Sequence, residues 1–323
     1  MQPRICGTAF IGLANIAVAM LPYAARAQDG AAAPAPAQAI VAPPEDLVLE
    51  TKDGVRLRAT YFPGNKGKDT TPVIVLHDYN GSRQDMFPLA IYLQQTLGFA
   101  VIAPDLRGHG ESTSTKDLNV KLNSDNMPMS QYPLMVEQDM ESVKRYLLAK
   151  NNGGELNIDK LAIVGAGMGA TVAALFTARD WSWPMLATGK QGQDVKAIAM
   201  ISPQFVFKNL NMQSAFGVPN GGMALQKDVS IYILCGSLDS KEMAESNRIY
   251  KAFTAHRRPE KDPRDRTAFL QENLKTKLQG AKLLTEPALG VSRSIGQFIQ
   301  LRCADQPYPW AARPNPLGGN AGP

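Results

Sequence analysis

Gly165-Ala166-Gly167-Met168-Gly169 closes a short apolar run and opens a helical one. Three glycines at such a junction strip the turn of side chains, so backbone N–H groups at the helix start stand open to an anion. With Ala170 the segment also satisfies G-x-G-x-x-[GA], the spacing that lays a pyrophosphate on a helix N-terminus. That use needs an acid at the end of the following strand to hold a ribose. Here the following run, Ala197–Ile201, ends in Ser202-Pro203. No dinucleotide or other cofactor is therefore expected.

Side chains able to move a proton are few. The histidines are His77, His109 and His256, and none follows His256. A helix beginning near Lys241 would carry His256 roughly 22 Å from its start, far from any site at that end. Past residue 27 the cysteines are Cys235 and Cys303. Cys235 lies in an apolar run and reads as a buried free thiol, with a Cys235–Cys303 disulfide as the alternative in an oxidising compartment. No Cys/His spacing fits zinc, and no metal site is expected.

Lys+Arg total 34 against Asp+Glu 29, a net charge of +5, and 44% of residues are hydrophobic. This suits a folded protein and is too weakly basic for nucleic acid to be the main partner. Residues 1–27 combine Arg4, an apolar stretch from Ile5 to about Leu21, and Ala25-Arg26-Ala27. These are the parts of an export signal cut after Ala27, giving a periplasmic or secreted chain; a retained membrane anchor is the alternative. No later apolar run approaches the ~20 residues of a membrane span. Residues 28–44, rich in Ala and Pro, read as a linker, and 306–323 as a flexible tail.

The elements that must position a site lie between residues 45 and 305. Leu47–Thr51 and Val55–Phe62 flank Asp53-Gly54, a hairpin signal. Val73–His77, Ala100–Ala103, Leu161–Val164, Ala197–Ile201 and Ser230–Leu234 read as buried parallel strands. Helices are expected over Gln84–Thr96, Met135–Lys150, Gly169–Arg179, Lys241–His256, Asp265–Leu278 and Ser292–Leu301, with a last strand at Lys282–Leu284. The alternation predicts one α/β domain: a doubly wound, mostly parallel sheet with an N-terminal antiparallel hairpin. Phe205–Lys227 is a cap-like insertion, either lining a pocket or packed as a surface loop.

Three segments together resemble the α/β-hydrolase family. Val73–Arg83, VIVLHDYNGSR, is similar to its strand and oxyanion loop, with Asp78 where glycine is usual. Ala103–Ser112, APDLRGHGES, resembles its loop after the next strand. Leu161–Ala170, LAIVGAGMGA, sits where the nucleophile elbow G-x-S-x-G belongs. The resemblance implies that Gly167 occupies the nucleophile position, and that the amides of Tyr79 and Met168 would form the oxyanion hole. It makes Asp239, in Gly236-Ser237-Leu238-Asp239, the retained acid and places Leu289 about where the histidine would be. It also implies loop-shaping roles for His77, His109 and Asp105.

Glycine cannot attack a carbonyl. The expectation is a hydrolase-like protein that binds or scaffolds without catalysis, its ligand a small apolar or carboxylate molecule held at the Met168 and Tyr79 amides under an apolar roof, Phe205–Met223; the alternative for the elbow is that Gly167 only relaxes a strained turn. The alternative is an ester or amide hydrolase with a rearranged site, using Ser82, Ser202 or Asp239 with His77 or His109.

Overall fold

A computed structural model of the chain describes residues 41–313 apart from 118, 188 and 258–264. The expected export signal and most of the expected linker lie outside these residues.

Alternating side chains decide how the strands are used. In β3 (Pro72–Leu76), Ile74 and Leu76 enter one core layer, while Val73 and Val75 enter the other. In β6 (Leu161–Ala166), Leu161 and Ile163 divide from Ala162 and Val164 in the same way. A strand apolar on both faces must be covered on both faces, and the helices do this. α1 (Phe87–Leu97) and α8 (Val291–Ile299) pack on one face. α3 (Met140–Asn152), α4 (Met168–Ser182) and α7 (Ser240–Thr254) pack on the other. A short α2 (Gln131–Leu134) leads through one π-helical turn into α3.

The remaining strands of the main sheet are β1 (Glu45–Glu50), β2 (Val55–Phe62), β4 (Ala100–Pro104), β5 (Ser114–Thr115), β7 (Val195–Ile201), β10 (Ser230–Leu234) and β11 (Ala268–Gln271). The sheet runs β1-β2-β4-β3-β6-β7-β10-β11, with β5 beside β2. β1, β2 and β5 pair antiparallel; from β4 to β11 every pairing is parallel. The carboxyl ends of β3, β6, β7 and β10 therefore face one edge, where loops can assemble a site.

The sequence misreads one region. Asp265–Leu278 contains strand β11 and irregular chain rather than a helix, and Lys282–Leu284 lies in a 3-10 helix, Gly280–Thr285, rather than a strand. Leu283 and Leu284 are buried in the α1/α8 layer, so their apolar run reflects burial without strand pairing.

The insertion after β7 is a hairpin, β8 (Val206–Phe207) and β9 (Leu210–Asn211), then α5 (Met212–Phe216) and α6 (Gly221–Lys227). Phe205, Met212 and Leu225 enter the α4 layer of the core, while Met223 is exposed.

Gln306–Arg313 departs from the flexible-tail expectation. The Trp310 indole donates to the carbonyls of Asn151 and Leu156, and Lys68 stacks on its ring at 3.9 Å. Arg313 is buried and pairs with Asp194 and Asp159. Cys235 and Cys303 are both buried and unbonded. No helix among the described residues is long and apolar enough to cross a membrane.

Candidate functional site

The strand-to-helix turn between β6 and α4 holds Gly167 at φ 48° and ψ −114°, a conformation that only glycine adopts without strain. The turn is anchored by the Gly167 amide, which donates to the Ile201 carbonyl at 2.9 Å. The helix sits close on β3: a Cβ at Gly169 would stand 2.6 Å from the His77 carbonyl oxygen. The result is a buried elbow at the carboxyl edge of the sheet, with the α4 N-terminus pointing into the neighbouring loop.

That loop begins at His77. Its buried ring accepts from the Leu106 amide through Nε2 (3.0 Å), leaving Nδ1 to donate to the Asp78 carbonyl (2.7 Å). Burial lowers its pKa, and both nitrogens are committed to holding two loops together. The next residue turns its side chain onto the elbow. Asp78 Oδ1 accepts from the Tyr79 amide at 2.7 Å and the Met168 amide at 2.9 Å. The two amides converge on one point, and the chain's own carboxylate occupies it. A Cβ on Gly167 would lie 2.0 Å from the same Oδ1, so a side chain at 167 and this placement of Asp78 exclude each other.

A cleft of about 370 Å³ opens above the carboxylate. Asp78, Ser202, Gln204, Glu242, Leu278, Gln279 and Gly280 line it, with Lys277 and Lys282. Its lining is polar, and it includes no residue of Phe205–Met223, which the sequence offered as an apolar roof. Asp239 follows β10 and caps α7, its Oδ1 accepting from the amides of Lys241 (3.0 Å) and Glu242 (3.2 Å). Glu242, not Asp239, lines the cleft; burial and the neighbouring Asp239 raise its pKa.

Leu289 lies outside the lining, in a 3-10 turn over Pro287–Leu289 packed against the α1/α8 layer. The loop after the true last strand, β11, reaches the cleft earlier, at Leu278–Gly280. There the Gln279 side chain stands between the Asp239 turn and the elbow. Its Oε1 accepts from the Ser202 hydroxyl (2.7 Å) and the Gly236 amide (3.1 Å), and its Nε2 donates to the Gly236 carbonyl (2.9 Å). The Gly280 amide donates to Ser202 Oγ at 2.9 Å. A Cβ at Gly280 would lie 3.1 Å from Asp78 Oδ2. Gln279 and Gly280 escaped the sequence reading because the strand before them was misplaced.

The other titratable candidates are braced elsewhere. Asp105 accepts from the Arg83 and Glu111 amides and pairs with the Arg83 guanidinium. His109 donates through Nδ1 to the Arg107 carbonyl (3.0 Å), and burial pushes its pKa down to about 4. His256 is exposed beyond the end of α7, and Ser82 opens a 3-10 turn at Arg83–Met86. Among the described residues no group of His, Cys, Asp and Glu could hold a metal ion.

Comparison with known proteins adds a family and a fold. A sequence model described as alpha/beta hydrolase fold matches residues 71–285. An uncharacterised protein of Mycobacterium tuberculosis is 39% identical over 80 residues, 24% of this chain and 28% of that protein. An sn-1-specific diacylglycerol lipase of Danio rerio is 30% identical over 125 residues, 39% of this chain and 32% of the lipase. The match thus spans about a third or less of these relatives' lengths. The solved structure of an esterase from Pyrococcus furiosus has a TM-score of 0.54 at 17% identity, covering 81% of this chain and 91% of the esterase.

Proposed function

This chain belongs to the α/β-hydrolase family, and we propose that it is an exported, non-catalytic member that binds or scaffolds rather than hydrolyses. The observation that carries the reading is the Asp78 carboxylate on the Tyr79 and Met168 amides. Ester or amide hydrolysis needs two such donors empty, to receive the charge that develops on the carbonyl oxygen. A carboxylate already there brings the wrong charge and fills the space. Its bonds to the two N–H groups are charge-assisted, so displacement is costly, on the order of 2–3 kcal/mol per bond.

The flanking groups support the same reading. Gly167 offers no nucleophile, and Gln279 and Gly280, which reach the cleft after the last strand, offer no imidazole. Both functions of the Ser202 hydroxyl are engaged by Gln279 and Gly280. The expected carboxylate ligand fares no better than a substrate, since it would have to displace Asp78 from the same amides. A ligand of the cleft instead meets a lining of mixed charge, Asp78 and Glu242 with Lys277 and Lys282, together with Gln204. Export rests on the leader, Arg4 to Ala27, alone.

Because relatives carry the names lipase and esterase, esters are the substrates to test. Purified protein freed of residues 1–27 should turn over short acyl esters no faster than buffer, and a fluorophosphonate probe should leave it unlabelled. Turnover abolished by Asp239→Ala, or by substitution of His77 or His109, would sink the non-catalytic reading and establish a rearranged hydrolase.

A further inference from the structure

Lys208 sits at the turn of the β8–β9 hairpin, and its ammonium is held by rings rather than by a carboxylate. Nζ lies 4.0 Å from the centroid of Tyr79, 4.7 Å from Tyr132 and 5.6 Å from Phe207. It donates to the Tyr132 hydroxyl at 2.5 Å, and no acid pairs with it among the described residues. The rings brace one another: Phe207 packs against Tyr79 at 5.1 Å and Tyr132 at 5.9 Å. Both phenols donate to the Ser124 carbonyl, Tyr79 at 3.1 Å and Tyr132 at 3.4 Å, which leaves their oxygen lone pairs for a cation. Three π-faces and two such oxygens around one ammonium form a cage for positive charge. His109, edge-on to Tyr79 at 5.6 Å, adds no competing charge at neutral pH, since burial holds its pKa near 4.

The lysine is a costly and movable occupant. Its backbone lies at φ 48°, where a residue with a Cβ is strained. Its hairpin has two residues in each strand, too few to be rigid on their own. The side chain is exposed and can leave to solvent.

We propose that Tyr79, Tyr132 and Phe207 form a binding site for an organic cation of the quaternary-ammonium class, which Lys208 closes by acting as an internal ligand. A methylated ammonium is less strongly hydrated than that of lysine and covers more of each ring, so it can compete for the cage. The site does not depend on whether the elbow hydrolyses anything, because the cage uses the Tyr79 ring and the elbow uses its amide.

The test titrates choline chloride, followed by calorimetry and by aromatic proton shifts, into the unaltered chain and into Lys208→Gly. Glycine fits the left-handed backbone and empties the cage. The neutral isostere 3,3-dimethyl-1-butanol serves as control. Choline should bind Lys208→Gly at least about tenfold more tightly than the unaltered chain, because the internal competitor is gone. It should exceed the isostere at least about fivefold, and Tyr132→Leu in the Lys208→Gly background should remove binding. Should Lys208→Gly melt early, Lys208→Asn opens the cage with a second residue that tolerates this backbone. Equal affinity for choline and the isostere overturns the proposal. So does the absence of choline binding, up to about 50 mM, in a cage-opened variant with a cooperative melting transition.

Discussion

Asp78 and Gly167 constrain one another, and neither departure from the family pattern is fully legible alone. The sequence shows aspartate where glycine is usual and glycine where serine is usual. It does not show that the carboxylate fills the space a side chain at 167 would need. Restoring serine at 167 alone therefore adds a strained φ and a clash. Gly167→Ser should lower stability by about 1–3 kcal/mol in urea denaturation. Asp78→Gly relieves the clash, so the double variant should be more stable than the sum of the single changes by about 1 kcal/mol or more. Strictly additive losses would mean that Asp78 swings aside freely. The pairing of Tyr79 with Met168 was legible through the family resemblance, since the G-x-x-x-G spacing alone sets the turn. The occupant of their shared site was not: Asp78 is next to Tyr79 in the chain but 90 positions from Met168, and only the fold brings its carboxylate to both amides.

At the scale of elements, the sequence conveys what depends on local period and little of what depends on long-range fastening. Asp53-Gly54 marks the β1–β2 hairpin, and the runs at 73, 161, 197 and 230 are strands because each is covered on both faces. The last quarter misleads. β11 is short and only partly buried, whereas the apolar Leu283-Leu284 pair belongs to a 3-10 helix, so burial was read as strand and the histidine register moved to Leu289. The strap Gln306–Arg313 is rich in proline and polar residues, a composition that signals looseness, yet side-chain hydrogen bonds hold it. Asn151, Asn152 and Asn157 each donate to a strap carbonyl at 2.8–3.0 Å. Trp310→Ala removes two indole hydrogen bonds and the Lys68 contact, and should cost about 2 kcal/mol with an unchanged urea slope. Arg313→Ala should cost at least as much, because it strips a cation from buried Asp194. Loss of less than about 0.5 kcal/mol in both would show that the strap is only laid on the surface.

Over the whole molecule, charges inside the fold are gathered into clusters. Arg107 joins Asp53 and Asp139 behind the His109 loop, Arg83 joins Asp105 and Glu111, and Lys144, Lys190 and Arg313 gather around Asp180, Asp194 and Asp159. Such clusters keep buried charge paired only while the entire fold is closed. The two cysteines lie within the same closed body, and burial raises both thiols, Cys303 to about 12. Because the thiolate is the reactive form, neither should react with a disulfide reagent at pH 8 until the domain opens globally. Denatured chain cut after Ala27 should then show both thiols, and uncut chain should show all 3, counting Cys6. Rapid labelling of native protein would reveal a local opening near β10 or α8. The Arg313–Asp194 pair spans 119 residues, and this separation has a meaning in time as well as in space. As the chain is synthesised, Asp194 and its neighbours must wait for those 119 residues before their last cation arrives. Until the strap docks, the core carries that deficit of positive charge, so seating of the strap is itself a folding step.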